Sequence, residues 1–250
     1  MPHYDFRTPR VYLDAPLAEG LTVSFDRAQA NYLLNVLRLK HEDALLLFNG
    51  RDGEWQARLA GTGRRALTAV IGERMREQPR PSDLHFLFAP LKHARLDYLV
   101  QKAVEMGAAR LQPVITRHTQ VARVNLDRMR ANVIEAAQQC GILTLPEVAE
   151  PVTFKAAIGP ADADRLLVFC DENAEVKDPV AALTAVARAG TPLAVLIGPE
   201  GGFAEEERDS LLKRPNVVRI ALGPRILRAD TAAVAALALV QAVLGDWRSS

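Results

Sequence analysis

The chain has 250 residues, of which 49% are hydrophobic and 24% charged, and its net charge is +1. That length suits one or two domains with a sizeable core, and that composition excludes a disordered or collagen-like chain. The near-neutral charge excludes binding to nucleic acid by overall attraction alone.

The first 75 residues read as short β-type runs at 11–13, 21–23, 44–48 and 67–71. Turn signals separate them at Asn49-Gly50, Asp52-Gly53 and Gly61-Thr62-Gly63. One helix interrupts the strands at 28–39, with Asp26 as its N-cap. The pattern fits a small β-barrel. The opening run, residues 1–10, lacks the apolar core of a secretory signal. Residues 74–82, polar with two prolines, read as a linker. The expected domains are 1–75 and 83–250, joined by 76–82.

Beyond the linker, strands alternate with helices. Strands are expected at 84–89, 111–116, 166–170, 193–197 and 217–221. Helices are expected at 95–106 (closed by Gly107), 127–140 (closed by Gly141), 179–188, 205–213 and 231–244. This rhythm implies an α/β domain with a mostly parallel sheet. The longest apolar stretch, 232–244, is too short to span a bilayer. Residues 76–130 carry ten Lys and Arg against five Asp and Glu. Such a segment can bind phosphates through counterion release, or it can be a set of solvated helix faces. Cys140 and Cys170 form no metal-like pair, so no metal is expected and the chain reads as a reduced, cytoplasmic protein. Cys140 reads as a buried structural thiol rather than a nucleophile, and Cys170 as core. His85 reads as packed within its strand, and His93 and His118 as polar surface. Trp55 and Trp247 read as packing residues.

Two loops carry chemistry. Leu196-Ile197-Gly198-Pro199-Glu200-Gly201-Gly202-Phe203 follows a strand and precedes a helix. Its glycines permit a sharp turn and close approach to a ligand, at the strand end where open α/β sheets bind ligands. The spacing is neither GxGxxG nor a P-loop. The second loop, Leu222-Gly223-Pro224-Arg225-Ile226-Leu227-Arg228-Ala229-Asp230-Thr231, occupies the same kind of place. Its arginines and acid suit an anionic or polar substrate. Arg225 can equally be an exposed loop charge, and Asp230 or Thr231 a simple N-cap.

Together the two loops resemble the RsmE family of SPOUT methyltransferases. Gln101-Lys102-Ala103-Val104-Glu105-Met106-Gly107, Gln139-Cys140-Gly141 with Pro146-Glu147, and Leu37-Arg38 support the likeness over essentially the whole chain. The resemblance implies a C-terminal parallel-sheet domain with a trefoil knot, an exception to the unknotted rule, and an N-terminal PUA-like barrel. It implies a homodimer that methylates N3 of a uridine in 16S rRNA with S-adenosylmethionine. Carried over by position, Leu196, Gly198, Glu200, Gly201, Leu222, Gly223, Ile226 and Leu227 line the cofactor pocket, joined by Arg228. Arg228 stabilises or orients the uracil anion. Asp230 accepts the proton or holds Arg228. Lys92, Arg95 and Arg123 are expected to be exposed and to face RNA. The chain departs from the family pattern at Gln138, Ile142 and Asp230, where the family has Glu, Arg and Glu. Two other readings of the same loops are a ribose 2′-O-methyltransferase and a catalytically silent RNA-binding protein.

Overall fold

The structure is a computed structural model. It describes residues 7–61, 67–121, 123–159, 164–174, 178–188 and 190–249. Residues 1–6 of the opening run read for a signal, and the turn at Thr62-Gly63, fall outside them. The chain divides into two compact units. One comprises 1–80 and 137–145, the other 81–136 and 146–250.

The first unit holds five strands: β1 (Arg10–Tyr12), β2 (Thr22–Ser24), β3 (Ala44–Phe48), β4 (Glu54–Gly61) and β5 (Thr68–Arg76). Their order is β1-β3-β4-β5-β2, with β1 parallel to β3 and the other pairs antiparallel. Alternate residues point inward, so Leu45, Leu47, Ala57, Leu59, Ala69 and Ile71 build the core. β4 was not expected as a strand, and β5 runs on through Arg74–Arg76, which read as linker. The expected helix at 28–39 is shorter. An α-helix α1 (Arg27–Asn31) starts at the Asp26–Gln29 capping box and widens into a π turn at Tyr32–Val36. The wider winding lets Leu33, Leu34, Leu37 and Leu39 all reach the same core.

Buried Glu54 receives Arg10 and Arg76, the latter in a fork of 2.7 and 2.8 Å. Burial pushes the Glu54 carboxyl up, but the bonds from Arg76 and Arg10 outweigh it and hold the group below its ordinary value. Residues 137–145 belong to the same unit. Arg76 donates to the Gly141 carbonyl at 2.9 Å, and the Gln138 side-chain oxygen accepts from the Tyr12 amide at 2.9 Å. A glutamine at 138 therefore keeps an acceptor oxygen without the charge.

The second unit is built on a parallel sheet. Its strands are β6 (Leu84–Phe88), β7 (Arg110–Ile115), β8 (Glu147–Val148), β9 (Val152–Thr153), β10 (Leu166–Cys170), β11 (Leu193–Ile197) and β12 (Val217–Ile220). The order is β12-β10-β11-β6-β7-β8, with β9 also pairing β7. β6, β10 and β11 are nearly continuous apolar runs, as strands covered on both faces must be. The helices are α2 (His93–Glu105), α3 (Leu126–Cys140), α4 (Phe154–Ala157), α5 (Pro179–Ala185), α6 (Glu205–Leu212) and α7 (Ala229–Val243). β8, β9 and α4 were not expected; each has four residues or fewer. Gly107 follows α2 in the left-handed region at φ 76°, as a C-cap glycine does. The apolar stretch at 232–244 lies in α7, which buries Ala233, Ala236, Leu237 and Val240. Among the described residues, no helix is long and apolar enough to cross a membrane.

Candidate active site

The strand order fixes where the site forms. β10 lies between β12 and β11, so their three C-terminal ends are neighbours. Beyond β11 the chain makes the loop 198–203. Beyond β12 it makes 221–228. Beyond β10 come Asp171 and Glu172. These segments, with Arg95 and Ala232, line a cavity of about 760 Å³. That is an ordinary size for a cleft taking a ligand as large as a nucleoside.

Each loop has a distinct build. In the first, the Gly202 amide bonds the Pro199 carbonyl at 2.9 Å, and Phe203 folds back into the core against Phe169 and Phe154. His118 covers the outer side, with Nδ1 3.2 Å from the Gly201 and Gly202 carbonyl oxygens. In the second loop, among the described residues, no backbone N–H or C=O of residues 222–227 is hydrogen-bonded within the protein. Gly223 sits at φ 93°, where a side chain would be strained, and the space around it is open.

The acids of the site are paired. Asp171, with no exposed side-chain surface, binds Arg219 of β12 at 2.7 Å and Arg208 of α6 at 3.1 Å. It therefore ties the bases of both loops together. Asp230 is forked by Arg95 at 2.9 and 3.3 Å, and Glu200 takes the same guanidinium at 2.7 Å. The Arg95 bond, opposed by burial and helped by the Thr231 amide, holds the Asp230 carboxyl below its ordinary range. Arg225 and Arg228 are exposed, and neither side chain has a hydrogen bond or ion pair among the described residues. Cys170 lies at the cavity floor, and burial, then Asp171, pushes its thiol up to about 12.

Of the expected pocket residues, Gly198, Glu200, Gly201, Leu222, Gly223, Ile226, Leu227 and Arg228 line the cavity. The Leu196 side chain does not; it is fully buried in the core with Phe169, Phe203 and Leu211. Asp230 sits behind the rim, bonded to Arg95 rather than Arg228. The N-cap of α7 is Arg228, so the expected cap at Asp230 or Thr231 moves two or three residues earlier. Lys92 and Arg123 are exposed. Arg95 is not the exposed residue expected; its side chain is 30% exposed and spent on the two acids. Cys140 is exposed rather than buried, because it ends the last turn of α3. Trp247 is 49% exposed, more than a packing role predicts. Asp171 was missed. Its one sequence signal is an acid placed directly after the apolar run of β10.

A family model described as an RNA methyltransferase domain matches residues 78–241, and one described as an RNA methyltransferase PUA domain matches 25–72. The "Ribosomal RNA small subunit methyltransferase E" of Rickettsia conorii is 31% identical, over 93% of this chain and 94% of that one. The chain belongs to the RsmE family of RNA methyltransferases. A relative of the same description from Synechocystis is 32% identical, over 89% of this chain and 74% of that one. The RsmE-family fold is seen too in a solved Neisseria gonorrhoeae protein, a ribosomal RNA small subunit methyltransferase E bound to S-adenosylmethionine. It superposes with a TM-score of 0.84 at 29% identity, over 96% of this chain and all of that one. A putative methyltransferase from Legionella pneumophila, also solved with that cofactor, gives 0.79 at 28% identity, over 96% and 99%.

Proposed function

We propose that the chain transfers a methyl group from S-adenosylmethionine to N3 of a uridine in the 16S rRNA of the small ribosomal subunit, at the family's target position 1498. One observation carries the reading. A cavity of about 760 Å³ is rimmed by the unused backbone groups of residues 222–227, with an unpaired arginine, Arg228, at its mouth. Unpaired amide and carbonyl groups beside open space suit the edge of an adenine, and the glycines let the ligand lie against the main chain. The names and bound cofactor of the relatives support methyl transfer from S-adenosylmethionine to small-subunit ribosomal RNA.

The bound cofactor would supply an electrophilic methyl carbon. The chain's own residues position the acceptor, which supplies much of the acceleration in an in-line displacement. Uracil N3 is a poor nucleophile until its proton leaves. Arg228 would hold the O2 or O4 oxygen on which the resulting charge spreads, and so favour the anion. Asp230, already ionised and held by Arg95, is a weak base. We assign it to fixing the start of α7 rather than to taking the proton, which passes to solvent water at the cavity mouth. The target base must leave its stack to reach the cavity. Lys92, Arg123 and the PUA-like unit would grip the surrounding RNA, chiefly through phosphates and shape. The working form in this reading is a homodimer in the cytoplasm.

The test is incubation with undermethylated small subunits and labelled cofactor, followed by digestion and mass spectrometry. Label on uridine N3 supports the proposal. Label on a ribose 2′-oxygen replaces it with the sugar-methylating reaction. No label, together with no calorimetric heat on adding S-adenosylmethionine, leaves an RNA-binding protein.

A further inference from the structure

Arg95 lies in the first turn of α2, far in sequence from both loops, yet it binds one acid from each side of the cavity. Its Nη1 donates to Glu200 in the first loop, and its Nε and Nη2 to Asp230 at the start of α7. The turn that presents it is unusual. His93, the first residue of α2, has φ 37°, in the left-handed region, and Lys92 makes no side-chain cap. A non-glycine residue there persists only where surrounding contacts hold it. The surrounding charges show the consequence. Asp171 is taken by Arg208 and Arg219, Glu172 lies 3.8 Å from Arg208, and Glu200 and Asp230 are taken by Arg95. Arg225 and Arg228 are left without partners among the described residues.

We infer that Arg95 is a positioning residue that keeps Arg228 available by holding Asp230 and Glu200 away from it. The inference rests on the anion-stabilising role given to Arg228. Asp230 lies only two residues from Arg228, and Glu200 shares its cavity. Without Arg95, two carboxylates at the cavity lose their cation while two guanidiniums there have no side-chain partner, and opposite charges in a partly dry cleft attract. Arg228 then meets a carboxylate instead of the uracil oxygen. Arg95 itself is assigned no contact with the uracil, yet its loss slows the step.

The experiment compares wild type, Arg95→Ala, Arg95→Lys and Arg95→Ala/Asp230→Asn. Single-turnover methylation of undermethylated small subunits is measured at saturating S-adenosylmethionine, with calorimetric cofactor binding and thermal melting of each protein. Arg95→Ala should slow the step by roughly 10- to 100-fold, the scale of a misplaced group, and change the cofactor Kd several-fold less. The double variant should regain part of the lost rate, because the carboxylate that captures Arg228 is gone. A purely structural tie would leave the double variant no faster than the single one. Arg95→Lys keeps the charge without the fork, and should fall between wild type and alanine while melting like wild type. It keeps the test alive if the alanine variant does not fold. A wild-type rate for Arg95→Ala or Arg95→Lys, or a double variant as slow as Arg95→Ala, would overturn the inference. If wild type itself labels no RNA, the functional reading has failed, not the clamp. The clamp is then read from a crystal structure of Arg95→Ala, where Arg228 paired with Asp230 or Glu200 supports it and an unpaired Arg228 refutes it.

Discussion

Replacing Gly198 with alanine tests whether the first loop is built by close packing. A Cβ at this position would sit 2.5 Å from Cε2 of Phe203 and 3.0 Å from its Cδ2 and Cζ. Carbon atoms rest at about 3.5–4.0 Å, so the ring or the loop must yield by about 1 Å. The ring has little freedom. It is 5% exposed, with its centroid 5.1 Å from that of Phe169 and 6.0 Å from that of Phe154. Overpacking of this kind costs about 1–3 kcal/mol, a fall of about 2–10 °C in the melting midpoint for a chain of this size. If the loop moves instead of the ring, the cavity wall moves with it, and cofactor affinity falls by about tenfold for each 1.4 kcal/mol of lost fit. Thermal melting and calorimetric titration with S-adenosylmethionine measure the two effects. Adding Phe203→Leu to Gly198→Ala makes room for the methyl and should restore cofactor affinity in part. An alanine variant that melts and binds like wild type would refute the packing argument.

Three further outcomes are expected. Arg228→Ala should lose about 100- to 1,000-fold in methyl transfer with cofactor affinity largely retained, the pattern of a lost anion-stabilising donor; normal turnover on ribosomal RNA would remove it from the mechanism. Glu54→Gln leaves Arg10 and Arg76, 4% and 17% exposed, without their charge partner, and should cost about 3–5 kcal/mol in denaturant unfolding of the full chain. Since the folded Glu54 carboxyl titrates below its ordinary 4.5, its contribution is complete above that pH and fades as pH falls through the folded value. The acid limb of wild-type stability should therefore be shallower in the glutamine variant, by the share that Glu54 contributes. A thiol-specific reagent at pH 8 should label Cys140, which is exposed, and leave Cys170, whose thiol is pushed up to about 12. Mass spectrometry of the labelled peptides gives the answer, and equal labelling of the two would contradict the raised Cys170 thiol.

The parallel sheet and both loops were legible in the sequence for physical reasons. β10 and β11 are unbroken apolar runs, and the glycines after β11 mark a sharp turn with close packing. β4 was harder to see. Trp55, Ala57 and Leu59 alternate correctly, but polar Gln56 and Arg58 dilute the run, and strong turn signals on either side dominate the reading. The π turn was illegible because the spacing of Leu33, Leu34, Leu37 and Leu39 also fits an ordinary helix. Arg95 was misread for a different reason. Its partners lie 105 and 135 residues away, and a basic residue in a basic segment looks like a solvated charge until the fold brings the acids to it.

That misreading explains why net charge says so little about this site. The charge a ligand meets is what remains after pairing. At the cavity floor, Asp171 and Glu172, just past the middle strand of the three, face Arg208 of α6 and Arg219 of β12, so the floor cancels. At the rim, one guanidinium from α2 offsets two acids. What remains at the mouth is Arg225 and Arg228, cations with no partner in the described chain. A protein of net charge +1 can thus present a cationic opening to an anionic substrate. It does so by leaving two arginines unpaired where the strands end, and the pairing elsewhere decides which two.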